Sequence, residues 1–236
     1  VIKKYELTDD IINYNGFTLH RIKALRNFND IKKGELGGYI EKEDNLSHKG
    51  DCWVYNDAKV YDNANVYGNA RVYRYAKVFG NAEVCGNARV YRYAKVYGNA
   101  EIFGNAEVCG SVLVYGDAWV YGDAKVFGNA RVYRNARVFG DAKVYRNARV
   151  YGDAKVFGSA EITRNCLNIY NKELYQCNIT FTDYHISIGC KQMSFIKWLE
   201  VSLDDAIAMG LKEEYYDNIK SLLKLLISQY YNKKLA

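Results

Sequence analysis

Between Val54 and Glu161 one pattern of apolar and polar positions recurs every six residues, eighteen times without a break. The unit is Val-aromatic-x-Asn/Asp-Ala-x, as in Val96-Tyr97-Gly98-Asn99-Ala100-Glu101. Its first position is Val in seventeen units and Ile102 in the other; its fifth is Ala in seventeen, with Val112 the exception. Tyr or Phe fills the second position sixteen times, and Cys85 and Cys109 fill the other two. Side chains alternate across a strand, so in Ala-x-Val the Ala and Val point one way and the residue between them the other. The aromatic after Val also points away from them. The Gly-Asn, Gly-Asp or Arg-Asn pair that follows is turn chemistry. Each unit is thus a short strand plus a corner. A period this strict predicts a solenoid, whose rungs bury a core only against their neighbours. Val and Ala fill its interior, and the rings stand outside.

Tyr73-Arg74-Tyr75-Ala76-Lys77 recurs as Tyr91-Arg92-Tyr93-Ala94-Lys95, eighteen residues later. Three units per coil account for that spacing, so the repeat makes six coils, roughly 29 Å tall at one rung every 4.8 Å. The pattern resembles the hexapeptide-repeat, left-handed parallel β-helix family, whose loose motif is an aliphatic residue followed four positions later by a small one. The resemblance implies the left hand and the triangular section, against the usual right-handed crossover. A pentapeptide solenoid does not fit the register. The expected fold is mainly β: a left-handed parallel β-helix, a triangular solenoid over residues 48–165. An N-terminal β cap over 1–47 precedes it, and a C-terminal hairpin with amphipathic helices over 166–236 follows.

The flanks carry their own signals. Ile11–Tyr14 and Phe17–Ile22 flank Asn15-Gly16, the strongest two-residue hairpin turn. Gly34–Ile40 leads into an incomplete coil in which Gly50-Asp51-Cys52 stands for Gly-Asp-Ala. This head is expected to cover the open edge of the first rung. Beyond Ile162, Ile179–Phe181 and His185–Ile188 alternate like a hairpin, and Ser194 is placed to cap a helix through Glu200. From Lys212 to Asn232 apolar residues fall at spacings of three and four, an amphipathic helix. Its stripe is expected to cover the last coil or to pack on another subunit.

Composition adds little about activity. The 236 residues include no Pro, and the formal charge of +6 is modest. No apolar run approaches the length of a membrane span, so no membrane association is expected. The six Cys form no CxxC pair and have no His at zinc spacing, so reduced structural thiols and no metal are expected. Twenty-three Tyr are the odd feature.

Many hexapeptide-repeat proteins are acyltransferases, and that resemblance implies a catalytic His at a coil edge and a loop excursion. The three His here, His20, His48 and His185, all lie outside the repeat, and no insertion breaks its register. No phosphate-binding loop, dinucleotide fingerprint or nucleophile elbow is present. No catalytic residue and no cofactor is therefore expected, with a hexapeptide-repeat acyltransferase as the alternative.

Sorting the units by eighteen gives three outer faces. One carries Lys59/Tyr61, Lys77/Phe79, Lys95/Tyr97, Leu113/Tyr115, Arg131/Tyr133 and Arg149/Tyr151. Five of its six rungs are basic and all six are aromatic. An edge carries Arg74, Arg92, Arg146 and Arg164, interrupted by Gly110 and Gly128. A column of like charges repels itself unless something negative neutralises it, which points to an anion-binding face whose rings could stack bases. The alternative is that the cationic stems lie over the neighbouring rings as cation–π ladders. A third reading is assembly into a dimer or trimer through exposed rings. Leu113 and Trp119, with Val112 and Cys109, break the polar pattern within one coil and mark a candidate contact patch.

Outside the repeat, Tyr5-Glu6-Leu7-Thr8-Asp9, Arg21–Leu25, Gly34–Ile40 and Asn45-Leu46-Ser47 look like proteins carried by bacteriophages and prophages, which join such a head to similar hexads. Ile186–Cys190 followed by Trp198-Leu199 is similar too. The resemblance implies a setting, the host bacterial cytoplasm, rather than an activity. Small phage proteins often act on host immunity, and by that association the expected role is anti-defence, such as an anti-CRISPR-like block on a nuclease effector or sequestration of a signalling nucleotide. Expected partners are a host protein or nucleoprotein complex, or nucleic acid or a nucleotide.

Overall fold

The computed structural model describes residues 2–163, 167–170, 178–188 and 191–232. Three parallel sheets run along the repeat, and each coil adds one short strand to each. Every strand pairs with the one a coil away: Lys77 with Lys95, Arg71 with Arg89, Glu83 with Glu101. The inward Val and Ala of all eighteen units are at most 1% exposed. The interior is a single Val/Ala column, as the alternation requires. The rings lie outside that column.

The solenoid is one coil longer than the repeat. Ile40 pairs in register with Val60, Leu46 bridges to Val66, and Val54 pairs with Val72. These three take the interior places of a seventh turn, although the step from Leu46 to Val54 is eight residues instead of six. Hexad counting therefore stops one turn short.

Corners explain the third position of the unit. All eighteen have positive φ: twelve are Gly, and Asn56, Asp62, Arg74, Arg92, Arg134 and Arg146 make up the rest. At the fourth position of two corners, amides climb the prism: Asn63 to Asn81, Asn99 and Asp117, and Asn69 to Asn87, Asn105 and Asp123. Each donates to the next coil, so the corner polar groups are satisfied without leaving the surface.

At the N-terminal end, β1 (Tyr5–Tyr14) and β2 (Phe17–Ala24) form the expected hairpin, with φ of 51° at Asn15 and 85° at Gly16. β2 pairs antiparallel with β3 (Leu36–Ile40), which in turn runs parallel to Lys59–Val60. The head thus occupies the edge of the first sheet. Tyr5, Ile22, Phe28, Ile31 and Trp53 close the end of the Val/Ala column. Lys4 is fully buried there, and its Nζ donates to the Cys52 carbonyl at 2.8 Å and the Gly50 carbonyl at 3.2 Å. Burial lowers its pKa, while Cys52 acts in the opposite sense.

At the other end Leu167–Tyr170, Asn178–Phe181, His185–Ile188 and Lys191–Ser194 form a four-stranded antiparallel sheet. The hairpin expected from alternation is its central pair. Lys155 N donates to Thr180 Oγ1 and Thr163 N to Asp183 Oδ2, which join the sheet to the last coil. Ser194 caps α1 (Phe195–Glu200) through Lys197 N, and α2 (Leu203–Ala208) and α3 (Tyr216–Asn232) follow. A 3-10 turn, Glu213–Tyr215, replaces the first turn expected from Lys212. The α3 stripe corrects an expectation. Ile219, Leu223 and Ile227 pack on Phe195, Trp198 and Ile186, forming a separate small core instead of covering the last coil. No described helix is long and apolar enough to cross a membrane.

Candidate binding surfaces

On the first sheet the register stacks Lys59, Lys77, Lys95, Leu113, Arg131 and Arg149 in that order. Beside them Tyr61, Phe79, Tyr97, Tyr115, Tyr133 and Tyr151 form one unbroken ladder. Successive centroids are 4.9–5.5 Å apart and the rings lie within 18° of parallel. The rings stack on one another, not beneath the cations of their own face. Their faces are therefore taken by neighbours. A base could enter only by parting coils held by backbone bonds such as Tyr97 N to the Val114 carbonyl. What the ladder offers a ligand is ring edges.

The cations of this face divide into two groups. Lys59 lies over the Tyr14 and Tyr39 rings at 5.4 and 5.5 Å, and Lys77 over Tyr14 at 4.7 Å while donating to its hydroxyl. These rings belong to the head, which therefore covers the first rungs. Burial, then the like charge of Lys77, lowers the Lys59 pKa. Lys95, Arg131 and Arg149 are exposed, and their side chains make no hydrogen bond or ion pair among the described residues.

The arginine edge is brought together in part. Arg74 pairs with Arg92 and Arg92 with Gly110, and the column continues through Gly128 to Arg146. Arg164 lies outside the described residues. Tyr75 and Tyr93 stand at this corner in place of amides, stacked at 5.3 Å and 50% and 61% exposed.

Leu113 and Trp119 share a coil but lie on adjacent faces, Leu113 between Lys95 and Arg131 and Trp119 between Glu101 and Arg137. The Arg137 guanidinium sits over the Trp119 ring at 4.4 Å. Val112 is buried inside the column.

A feature of the second sheet was not singled out by sequence reasoning. Tyr55, Asn56, Arg71, Tyr73 and Arg89 line a cleft of about 310 Å³. It exists because Tyr55 leaves the ring ladder: its hydroxyl donates to Asp30 at 3.2 Å, and its ring turns 76° from that of Tyr73. Tyr73 and Tyr91 are parallel at 4.7 Å. The repeated Arg-Val-Tyr-Arg-Tyr of 71–75 and 89–93 is the signal that could have located it.

The three histidines lie in different elements. His20 Nδ1 is 3.1 Å from the Thr8 carbonyl, while His48 stacks on Tyr5 at 4.4 Å and its Nδ1 accepts from Lys4 N. His185 is in the C-terminal sheet. Among the described residues no group of His, Cys, Asp and Glu could hold a metal, and Cys52, Cys85 and Cys109 are free thiols. Cys166, Cys177 and Cys190 lie outside the described residues.

No family model matches the chain. Over 42 residues it is 38% identical to a protein described as uncharacterized acetyltransferase YdcK of Escherichia coli (strain K12). That stretch is 18% of this chain and spans only 13% of the relative's length. Together with the solenoid of parallel strands, the likeness supports a β-helix protein.

Proposed function

We propose that the chain is a non-enzymatic binding scaffold that presents the first sheet's outer face to a polyanionic partner. The carrying observation is that Lys95, Arg131 and Arg149 stand exposed in one register column without a counter-charge among the described residues. Surface cations in such a column favour whatever neutralises them, and the effect weakens with salt. The ring ladder beside them is rigid, so little order is lost on binding. In its specific form, the partner is a host nuclease effector or its nucleic acid, and the setting is a phage-encoded block on host defence.

Fluorescence polarisation with labelled single-stranded and duplex oligonucleotides tests the reading. Binding should weaken with salt at a log–log slope of about −2 if three phosphates of a single strand are neutralised. The triple change Lys95→Glu, Arg131→Glu, Arg149→Glu should abolish it, and full retention would sink the proposal. Affinity capture from infected host lysate, with and without nuclease, separates a protein partner from nucleic acid.

The likeness to an acetyltransferase favours a second reading, acyl transfer. It requires a base, and among the described residues His48, beside Glu43 at 3.6 Å, is the histidine with a carboxylate partner. Acetyl transfer from acetyl-coenzyme A that His48→Ala removes would establish it in place of the scaffold.

A further inference from the structure

The cleft on the second sheet has the makings of a small-ligand site separate from the face proposed above. Its two tyrosine walls stand at 76°, with centroids 6.2 Å apart. The two rings already meet each other edge to face and Tyr73 stacks on Tyr91, so a planar ligand packs against their exposed edges and not between them. Arg71 and Arg89 occupy paired positions on neighbouring rungs, so two guanidinium groups reach the same rim. Asp30 lies 3.6 Å from Arg71, and Glu107 lies 3.6 Å from Arg89. Both contacts are longer than a hydrogen bond, so these carboxylates aim the guanidinium groups without using up their donors. Asn56, an exposed corner residue at φ 53°, also lines the cleft, and its side-chain amide carries two N–H donors and one acceptor oxygen.

Two more arginines stand beside the cleft. Arg74 and Arg92 end the same strands and are exposed, held at φ 63° and 64° where most corners use Gly. A branched-off backbone strain of this kind tends to persist where the side chain is used. With Arg71 and Arg89 they make four cations against Asp30, Glu107 and Glu35, so the rim is cationic overall. The volume is at the small end of ligand sites, which suits one nucleotide and not a chain of them.

We propose that this cleft binds a nucleoside monophosphate, the base against the Tyr55 and Tyr73 rings and the phosphate between Arg71 and Arg89. Paired guanidinium groups recognise phosphate through charge-assisted, often bidentate bonds. The Asn56 amide faces the polar edge of the base. This does not rest on the polyanion reading, because none of its residues belongs to the first sheet.

The test is titration calorimetry of the whole chain with adenosine 5′-monophosphate, inorganic phosphate and adenosine separately. The nucleotide should bind saturably with a Kd below about 1 mM, and neither half should match it. Arg71→Gln and Arg89→Gln should each weaken it about tenfold, with unchanged circular dichroism melts; Lys125→Gln, on the same sheet, should leave it unchanged. In amide NMR spectra, the nucleotide should shift the Asn56 side-chain signals. Absence of saturable binding, equal binding of phosphate alone, or shifts confined to other coils would each overturn the assignment.

Discussion

The Tyr14 hydroxyl accepts a hydrogen bond from Lys77 Nζ, 63 residues away along the chain. This contact fastens the head hairpin across the basic face, two rungs along the sheet from β3. The Lys77 bond holds the Tyr14 phenol below its ordinary pKa. Tyr14→Phe removes that bond and keeps the ring over Lys59 and Lys77. It should lower stability by about 1 kcal/mol, read from the shift in urea midpoint at constant slope. No change would mean that the ring, not the hydroxyl, fastens the hairpin.

Alkaline pH attacks the buried phenols. Tyr61 is 3% exposed, and burial, then the neighbouring Tyr14, pushes its pKa up to about 12. Burial also raises Tyr5, Tyr73, Tyr97 and Tyr121. An unfolded tyrosine loses its proton near pH 10. Between about pH 10 and about pH 12 the unfolded chain sheds a proton that folded Tyr61 keeps, so stability falls as pH rises. The urea midpoint should stay level up to about pH 10 and then decline, and Tyr61→Phe should flatten the decline. A level profile to pH 12 in the parent chain would contradict this reading.

Much of this architecture is written in individual residues. Val96 and Ala100 are inside because a strand alternates, and Lys77 faces Lys95 because the coil is three units long. The amide corners, the Asn15-Gly16 hairpin and the Ser194 cap follow from local chemistry in the same way. Three things do not. The cleft depends on Asp30, in an irregular loop, drawing Tyr55 out of its ladder, and no periodicity announces that bond. The seventh turn uses Ile40 and Leu46, which lack the unit's aromatic and Ala between them and stand off Val54 by an eight-residue step. Whether rings stack on rings or beneath cations is decided by the rung spacing, which brings like residues of successive coils together before unlike neighbours within a coil.

The corners separate strain from use. Gly98 has φ of 73°, and a Cβ there would lie 2.9 Å from Gly116 N. Gly98→Ala should cost about 1–2 kcal/mol. Arg134 holds the equivalent place at φ 62°. Arg134→Gly relieves that conformation but adds freedom to the unfolded chain, so it should be neutral or stabilising by under about 1 kcal/mol. Arg74→Gly should behave alike in melting, yet weaken anion binding at the cleft beside it. Equal losses of stability at both sites would show that the arginines support the fold itself.

The Val/Ala column sets the strictest limit on substitution. Ala82, Ala100 and Ala118 lie one above another, each fully buried, with strand pairing fixing the distance between coils. A side chain added at Ala100 cannot escape sideways, because three sheets enclose it. Ala100→Leu should therefore cost about 1–3 kcal/mol or more. Ala100→Val should cost less, since Val112 already fills the equivalent place of another unit. Because each rung rests only on its neighbours, the damage should be local. Hydrogen exchange should quicken first at the amides of residues 82–120, with the Trp53 end keeping its protection. A uniform rise in exchange along the whole column would mean that the coils unfold as one unit.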